Sequence, residues 1–281
     1  MAEKLKYFVN GQFRESKTDK WYDLHNPSTG EITGQAPCCT NDEVLEAIAA
    51  AKAAYPGWSA TPAIKRAQIL YRVRELILER MDELTMSVAK ENGKVWAESE
   101  GDVLKAKEGT ELATQVPSLM MGESIMDASR GYDTVKYREP LGVFAGIVPV
   151  NFPAMIPFGW MAPTCIATGN TLVLKAASLT PKTAMLFAQL YKDAGVPDGV
   201  INVVTCSRNE INTILEHPDV KGITFVGSTP VGLKIYEKEQ AEGLNRNDEI
   251  LYIRQFLEEL KTDMEEKNRY LEEVPQRMAE M

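Results

Sequence analysis

The sequence predicts an α/β protein whose centre is a doubly wound, parallel β-sheet of the Rossmann type. Between Gly142 and Ser228, short apolar segments typical of buried strands alternate with segments of helical periodicity. The connections are also long enough to return each strand to the start of the next, as parallel pairing requires. We therefore expect the sheet in the second part of the chain, with N-terminal helices and hairpins packed beside it.

The N-terminal part is predicted to begin with a hairpin. In YFVNGQFRE, two short β-type runs flank Asn10 and Gly11, a strong two-residue turn signal. HNPSTGEITGQAP is rich in turn residues and is predicted to include another strand, and GYDTVKYREP alternates like an exposed strand. The predicted helices begin at Asn41, which is a cap candidate, run from Pro62 to Gly93 as one long helix, and span about Val103 to Pro117.

The predicted parallel sheet has four strands, with the sequences GVFAGIVPV, TLVLKAA, GVINVVT and GITFVGS. The helices between them are the apolar PFGWMAPTCIATG, the amphipathic PKTAMLFAQLYKDAG and RNEINTILEHPDV. No charged residue occurs from Pro140 to Leu174, a length that could span a bilayer. Five prolines and two asparagines interrupt this stretch, so we interpret it as a folded interior and expect no membrane span.

Composition narrows the classes of function. The chain has 281 residues, a net charge of −9 and a pI near 5.0, so no nucleic acid is expected as a partner. The four cysteines form no C-x-x-C pair and there are only two histidines, so we expect free thiols and no metal site. The opening MAEKLKYFVNGQF has no apolar signal core, and we expect a cytoplasmic protein.

Polar residues cluster at the carboxyl ends of the predicted strands, where doubly wound sheets bind their ligands. Asn151 follows the first strand, and Lys175 and Ser178 follow the second. Gly227 and Ser228 follow the fourth. Because these strand ends meet at one edge of the sheet, we expect the five residues to form one site.

The same residues indicate which chemistry the site could carry out. The turn with Gly227 and a cap from Ser228 or Thr229 leaves backbone N–H groups available for an anion such as a pyrophosphate, although no G-x-G-x-x-G fingerprint accompanies it. Lys175 could bind ribose hydroxyls or a phosphate, or it could be a surface lysine at a strand end. Asn151 could donate to an oxyanion, or it could be an ordinary turn residue.

Several segments, in the correct order, resemble one known family. REPLGVFAGIVPVNFPAMIP, GNTLVLKAAS, AGVPDGVINVVT and HPDVKGITFVGSTPVG look like the cofactor-binding half of the aldehyde dehydrogenase superfamily. YFVNGQF, NPSTGE, ENGK and NEINTILEHPDVKGITFVGSTPVG are similar to its coenzyme-A-acylating methylmalonate-semialdehyde dehydrogenase branch, and succinate-semialdehyde dehydrogenases are similar in the same segments. The resemblance covers residues 5–236, so residues 1–236 are expected to be an N-terminal and NAD(P)-binding portion.

The resemblance implies a role for each candidate residue. Asn151 corresponds to the side-chain donor to the oxyanion, and Lys175 to the residue that binds the adenosine ribose. Gly227 and Ser228 correspond to the pyrophosphate site, and Val231 to a residue beside the adenine. The further residues implied to line the cofactor site are Val148, Pro149, Val150 and Phe225. The strand near Tyr132 to Arg138 corresponds to a hairpin used in subunit pairing.

Ser178 departs from the family pattern. Many NAD-preferring members have a glutamate there, whose carboxylate accepts hydrogen bonds from the ribose hydroxyls and repels a 2′-phosphate. Serine removes that repulsion, so the sequence leaves NAD and NADP open as the cofactor.

The family's reaction also needs a cysteine nucleophile and a glutamate base. The resemblance implies that they lie in G-Q-x-C and L-E-x-G-G segments beyond the G-S-T turn, and neither segment occurs in this sequence. Cys206 corresponds to a position that is not catalytic in the family, and Cys165 lies in the apolar helix, where we interpret it as a small core residue. We therefore expect a truncated chain that lacks the catalytic domain and is inactive alone, whereas intact relatives of this branch oxidise a semialdehyde and use coenzyme A.

The tail, residues 237–281, does not resemble the family. Between Lys238 and Met281 there are seven basic and twelve acidic residues, a net of −5. Apolar residues at heptad-like spacing predict a helix with a coiled-coil seam, which Lys267 interrupts and Pro275 ends. This helix could pair with itself, bind a partner, or cover apolar surface of its own domain. The alternative functions are therefore an interaction module that acts through the helix, and one part of a split enzyme.

Overall fold

The computed structural model describes residues 3–241. The strands are β1 (Tyr7–Val9), β2 (Gln12–Arg14), β3 (Trp21–His25), β4 (Ile32–Pro37), β5 (Glu123–Ser129), β6 (Tyr132–Lys136), β7 (Val143–Ile147), β8 (Thr171–Lys175), β9 (Ile201–Val204) and β10 (Val220–Phe225). The α-helices are α1 (Asn41–Ser59), α2 (Ala63–Glu79), α3 (Met81–Asn92), α4 (Trp96–Ala113), α5 (Val116–Leu119), α6 (Ala162–Ala167), α7 (Lys182–Asp193), α8 (Arg208–Glu216) and α9 (Thr229–Ala241). A π-helical segment, Ile156–Met161, precedes α6. The heptad-like helix predicted in the tail lies outside the described residues.

The main sheet has the strand order β10-β7-β8-β9-β1-β2. Its first four strands are mutually parallel, which confirms the predicted doubly wound sheet. The N-terminal hairpin was expected beside this sheet, but β1 pairs with β9 through Phe8 and Val203 and extends the sheet in the antiparallel sense. The hairpin thereby covers an edge of β9 that would otherwise leave backbone groups unpaired.

The sheet separates two hydrophobic cores, as a doubly wound arrangement requires. On one face, Leu172 and Leu174 join a core that contains Phe158 and Phe187, whose rings stack with their centroids 4.7 Å apart. On the other face, Val173 packs in a second core with residues of α1. Successive residues of β8 therefore point to opposite faces and are buried on both, which explains the continuous apolar strand sequence.

Two predicted helix boundaries are wrong. The N-cap of α1 is Thr40 and not Asn41, because the Thr40 hydroxyl accepts from the Glu43 N–H while the Glu43 carboxylate accepts from the Thr40 N–H. The single long helix is two helices, α2 and α3, which meet at Arg80. No proline or glycine lies at that break, so the sequence carried no local signal for it. The predicted stop at Gly93 is confirmed by its left-handed conformation, with φ +74°.

The third helix and the apolar helix also differ from the prediction. Helix α4 begins at Trp96, about two turns before Val103, and its first turns bury the polar Ser99 and Asp102, which weakens their apolar periodicity. The apolar helix starts as the π-helical segment, where Gly159 packs against Gly109 of α4 so closely that a Cβ on Gly109 would overlap the Gly159 carbonyl.

Strands β3 and β5 were not predicted, although both complete hairpins whose second strand was expected. β3 pairs with β4, and β5 pairs with the exposed β6. The uncharged stretch from Pro140 to Leu174 folds into β7, the π-helical segment, α6 and β8. Among residues 3–241, no helix combines the length and the hydropathy that a membrane span requires.

Candidate functional site

The parallel register aligns the carboxyl ends of four strands in a single row. Ile147, the last residue of β7, pairs with Phe225 on one side and with Lys175 on the other. Lys175 in turn pairs with Val204, the last residue of β9. The segments that follow these residues therefore leave the sheet at one edge, and all of the predicted site residues lie in this row or in the segments after it.

The chain changes direction across the sheet between β7 and β10. From β7 it continues through β8 to β9 on one side, and it then returns to form β10 on the other side of β7. Such a point leaves a crevice outside the strand ends, where doubly wound folds bind their ligands. In this chain, that position lies between the loop after β7, with Val148, Pro149, Val150 and Asn151, and the turn after β10.

The turn after β10 has the features of an anion site. The N–H of Val226 donates to the Ile147 carbonyl at 3.1 Å, so pairing continues up to Gly227. A Cβ at Gly227 would overlap the Phe225 ring, which explains the glycine. The Ser228 carbonyl accepts the N–H groups of Val231 and of Gly232, both at 3.0 Å, and so begins α9.

The first N–H groups of α9 remain available for a ligand. Within the described residues, no hydrogen bond leaves the N–H of Ser228 or Thr229, and Pro230 has no N–H to satisfy. Gly227, Ser228 and Val231 are exposed. Because the helix dipole also favours negative charge at this end, the turn fits a pyrophosphate.

Lys175 carries a positive charge into the same row. The residue is half-buried, and in residues 3–241 neither an ion pair nor a hydrogen bond reaches its ammonium group. Burial lowers the pKa of Lys175, while the nearby thiols of Cys206 and Cys38 act in the opposite direction. An ammonium group with this desolvation and no partner fits a ligand that brings hydroxyl or phosphate oxygens.

Burial disfavours the nucleophilic form of three thiols. It raises the pKa of Cys206 and of Cys39 to about 12. It also raises the pKa of Cys165, which lies beside Thr171 at the opposite end of β8. A cysteine acts as a nucleophile in its thiolate form, which is disfavoured at these three positions. Among the residues described, no group of three His, Cys, Asp or Glu side chains could hold a metal ion.

The loop after β7 is held by residues that the sequence reasoning missed. Asn151 is exposed, whereas the carbonyl of its neighbour Val150 accepts from Asn92 Nδ2 at 2.8 Å and from Thr180 Oγ1 at 3.3 Å. Asn92 belongs to the ENGK segment of the family resemblance, but nothing in its local pattern links it to a loop 58 residues away. Ser178 is half-buried in the connection between β8 and α7.

A separate cleft of about 460 Å³ lies between the N-terminal strands, α3 and α7. None of the predicted site residues lines it. Its polar lining includes Ser87, Lys90, Glu91 and Lys182.

Comparisons with known proteins agree with this geometry. Residues 13–247 match the Aldehyde dehydrogenase family. The human mitochondrial methylmalonate-semialdehyde/malonate-semialdehyde dehydrogenase (acylating) is 44% identical over 239 residues, which are 85% of this chain and 44% of that protein. The crystal structure of methylmalonate-semialdehyde dehydrogenase from Oceanimonas doudoroffii is similar with a TM-score of 0.83 and 36% identity, over 86% of this chain and 49% of the other.

A second similar structure contains the cofactor. It is the NAD+ complex of an aldehyde dehydrogenase from Bacillus cereus, with a TM-score of 0.80 and 30% identity, over 85% of this chain and 49% of the other. The chain spans about half the length of the curated relatives it matches.

Proposed function

Because the chain belongs to the aldehyde dehydrogenase family, we propose that residues 5–236 form the NAD(P)-binding part of a methylmalonate- or malonate-semialdehyde dehydrogenase. The observation that carries this proposal is the row of strand ends, Phe225, Ile147, Lys175 and Val204, beside the crevice. It brings an anion site, a desolvated ammonium group and a carboxamide to one edge of the sheet.

Each part of the cofactor has a matching group in this chain. The N–H groups of Ser228 and Thr229 would bind the pyrophosphate, and the Lys175 ammonium would bind the hydroxyls of the adenosine ribose. Phe225 is half-buried and Val231 is 38% exposed, so both can offer apolar contact to an adenine. The bound nicotinamide would supply the hydride acceptor of the reaction.

Asn151 would stabilise negative charge on the substrate. A carboxamide is a neutral donor, and an N–H that is already oriented towards an oxyanion contributes more than one that must reorient during the reaction. The Val148–Asn151 segment continues from the central strand β7, so its start is fixed by the sheet. Ser178 would leave room for a 2′-phosphate, and NAD and NADP both remain candidates.

The substrate and the acyl acceptor follow from the relatives and belong to the proposal. We expect a semialdehyde with a carboxylate, and coenzyme A, to be used in a complete active site. The present sequence contains neither the G-Q-x-C nor the L-E-x-G-G segment. We therefore expect the 281-residue chain to bind NAD(P) without oxidising methylmalonate semialdehyde; steady NAD(P)H production by the purified chain would contradict this.

Thermal unfolding with and without cofactor tests the binding function. A ligand at a hundred times its dissociation constant stabilises the native state by about 2.7 kcal/mol, which corresponds to a rise in Tm of about 5–10 °C for a domain of this size. We expect such a rise with NAD or NADP and none with nicotinamide mononucleotide at the same concentration, because the mononucleotide lacks the adenosine. An unchanged Tm with both dinucleotides would contradict the proposal.

A further inference from the structure

We propose that Asn92 and Lys94 are positioning residues for the loop that carries Asn151. This loop, the Asn151 loop, comprises residues 148–155. The inference rests on the proposed function, because it assigns these two side chains a role in the NAD(P) site without any contact of their own to the cofactor. Asn92 is the last residue of α3, and Lys94 lies in the turn that links α3 to α4.

Asn92 fixes the residue before Asn151. Its Nδ2 donates to the Val150 carbonyl at 2.8 Å, and Thr180 Oγ1 donates to the same oxygen at 3.3 Å. A carbonyl oxygen has two lone pairs, so both are used. The peptide plane between Val150 and Asn151 is therefore held from two directions, and with it the direction in which the Asn151 side chain leaves the backbone.

Lys94 fixes the residues after Asn151. Its Nζ lies 3.0 Å from Asp102 Oδ2 and 4.0 Å from the centroid of the Phe152 ring. The other carboxylate oxygen, Asp102 Oδ1, accepts from the N–H of Met155 at 2.7 Å. The Asp102 side chain is fully buried and that of Lys94 is 16% exposed, so this ion pair is poorly screened and anchors the loop at Phe152 and at Met155.

The turn is packed against a neighbouring loop, and the residue before Asn92 is bonded to the start of α7. Gly93 adopts φ +74°, and a Cβ there would lie 2.6 Å from the Pro27 ring. The Glu91 carboxylate accepts from the N–H groups of Lys182 and Thr183 at 2.8 and 3.0 Å, so it caps α7, whose own N-cap residue has no side-chain cap. Four consecutive residues thus connect the segment after β7 with the segment after β8.

Asn151 depends on this support because it has little of its own. Its side chain is exposed, and no hydrogen bond to it occurs among the described residues. Under the proposed function, Asn151 lies at the reacting end of the cofactor and Lys175 at the adenosine end. Loosening the loop should therefore weaken the binding of a complete dinucleotide and leave the binding of AMP, which reaches only the adenosine end, unchanged.

The test uses the full 281-residue chain with two independent changes. Asn92→Ala removes one donor to Val150 and no charge. Lys94→Met combined with Asp102→Leu replaces the buried ion pair with apolar side chains, so that no unpaired charge remains buried. The matched control is Lys107→Met. Lys107 lies in α4, its side chain is 18% exposed, and its Nζ lies 3.0 Å from Glu111 Oε2 and does not contact the loop.

We expect each of the two changes to raise the Kd for NAD(P) about fivefold to tenfold, the fold-change that corresponds to one hydrogen bond or one local ordering step. The Kd for AMP should stay within about twofold of the wild-type value, and Lys107→Met should change neither constant by more than that. Lys94→Arg keeps a cation beside Asp102 and Phe152, so it should retain most of the NAD(P) affinity. Equal weakening of NAD(P) and AMP would indicate a general structural role and would overturn the proposal.

Amide hydrogen exchange gives a readout that needs no cofactor. The Met155 N–H loses its acceptor when Asp102 is replaced, so its exchange should accelerate at least about tenfold relative to amides in β8, which report global opening. Unchanged exchange across residues 150–155 would overturn the positioning role. If the wild-type chain binds no dinucleotide while the exchange accelerates as expected, the proposed function fails and the anchoring of the loop still holds.

Discussion

Ile147 and Lys175 are paired directly in the parallel register of β7 and β8, and each is the last residue of its strand. The pairing puts the end of a fully apolar strand beside a lysine whose ammonium group is partly withdrawn from water. Because β10 ends in the same row, the groups that we propose bind an adenosine ribose, a pyrophosphate and an oxyanion emerge at one edge, although they are up to 77 residues apart in the chain, from Asn151 to Ser228.

Glycine-to-alanine substitution should change the stability of the protein in opposite directions at two positions of α4, because only one of them packs against the π-helical segment. Gly109→Ala should destabilise the protein by about 1–3 kcal/mol, because the added Cβ overlaps the Gly159 backbone. Gly101→Ala adds a Cβ with nothing within 4 Å and should stabilise it by about 0.5–1 kcal/mol. Urea unfolding of both variants measures this, and destabilisation by both would show that α4 does not tolerate alanine for some other reason.

The residue at position 178 predicts the choice between cofactors. Ser178→Glu should raise the Kd for NADP at least about tenfold relative to that for NAD, because a carboxylate repels the 2′-phosphate and accepts from the ribose hydroxyls of NAD. Ser178→Gln has nearly the same size without the charge, and it should change the ratio by less. Parallel titrations with the two cofactors measure the ratio. The same ratio in the glutamate and glutamine variants would mean that the residue does not face the 2′ position.

The buried Glu91 predicts how stability depends on pH. Burial raises the pKa of this carboxyl from 4.5 to about 7, against the hydrogen bonds from Thr183 and Lys182 that favour the carboxylate. Between these values the native state binds more protons than the unfolded state, so this contribution to stability is present below pH 4.5 and is lost as the pH rises through 7. Its full size is about 3 kcal/mol.

Urea unfolding between pH 4.5 and 8 measures this contribution. The wild-type chain should lose stability over the range, and Glu91→Gln should remove most of that loss. The charged side chains that line the adjacent cleft, Glu3, Glu83, Lys90 and Lys182, are the same in both proteins. The difference between the two profiles is therefore the relevant quantity. Identical profiles would contradict the assignment to Glu91.

The sequence was sufficient to predict β7, β8 and β9 because these strands are buried on both faces and are therefore almost wholly apolar. It was also sufficient to predict that the residues after these strands meet at one edge of the sheet, since parallel strands place their carboxyl ends together. It was not sufficient where the decisive contact is distant in the chain. The break at Arg80, the π-helical turn at Gly159 and the addition of β1 to β9 all depend on a neighbouring element rather than on a local pattern.

The residues that we propose position the Asn151 loop could also not be predicted, because their contacts are distant in the chain. Lys175 and Asn151 follow strand ends and could be chosen from position alone. Asn92 ends α3 and Lys94 lies in the turn after it, and their partners Val150 and Asp102 are recognisable only once the chain is folded. The polar Asp102 even weakened the helical pattern in which it lies, so a residue that supports the site made its own helix harder to predict.

The most direct test of the cofactor site is isothermal titration of the 281-residue chain with NAD and NADP, in the wild type and in Lys175→Met. The methionine keeps the length of the side chain and removes only the ammonium group, and Lys107→Met controls for the loss of a partly buried lysine elsewhere. We predict saturable binding of one dinucleotide per chain, with a Kd raised about tenfold to a hundredfold in Lys175→Met, as the loss of hydrogen bonds to a charged group implies. No saturable binding in the wild type, or equal affinity in Lys175→Met, would contradict a nicotinamide-dinucleotide site at this edge of the sheet.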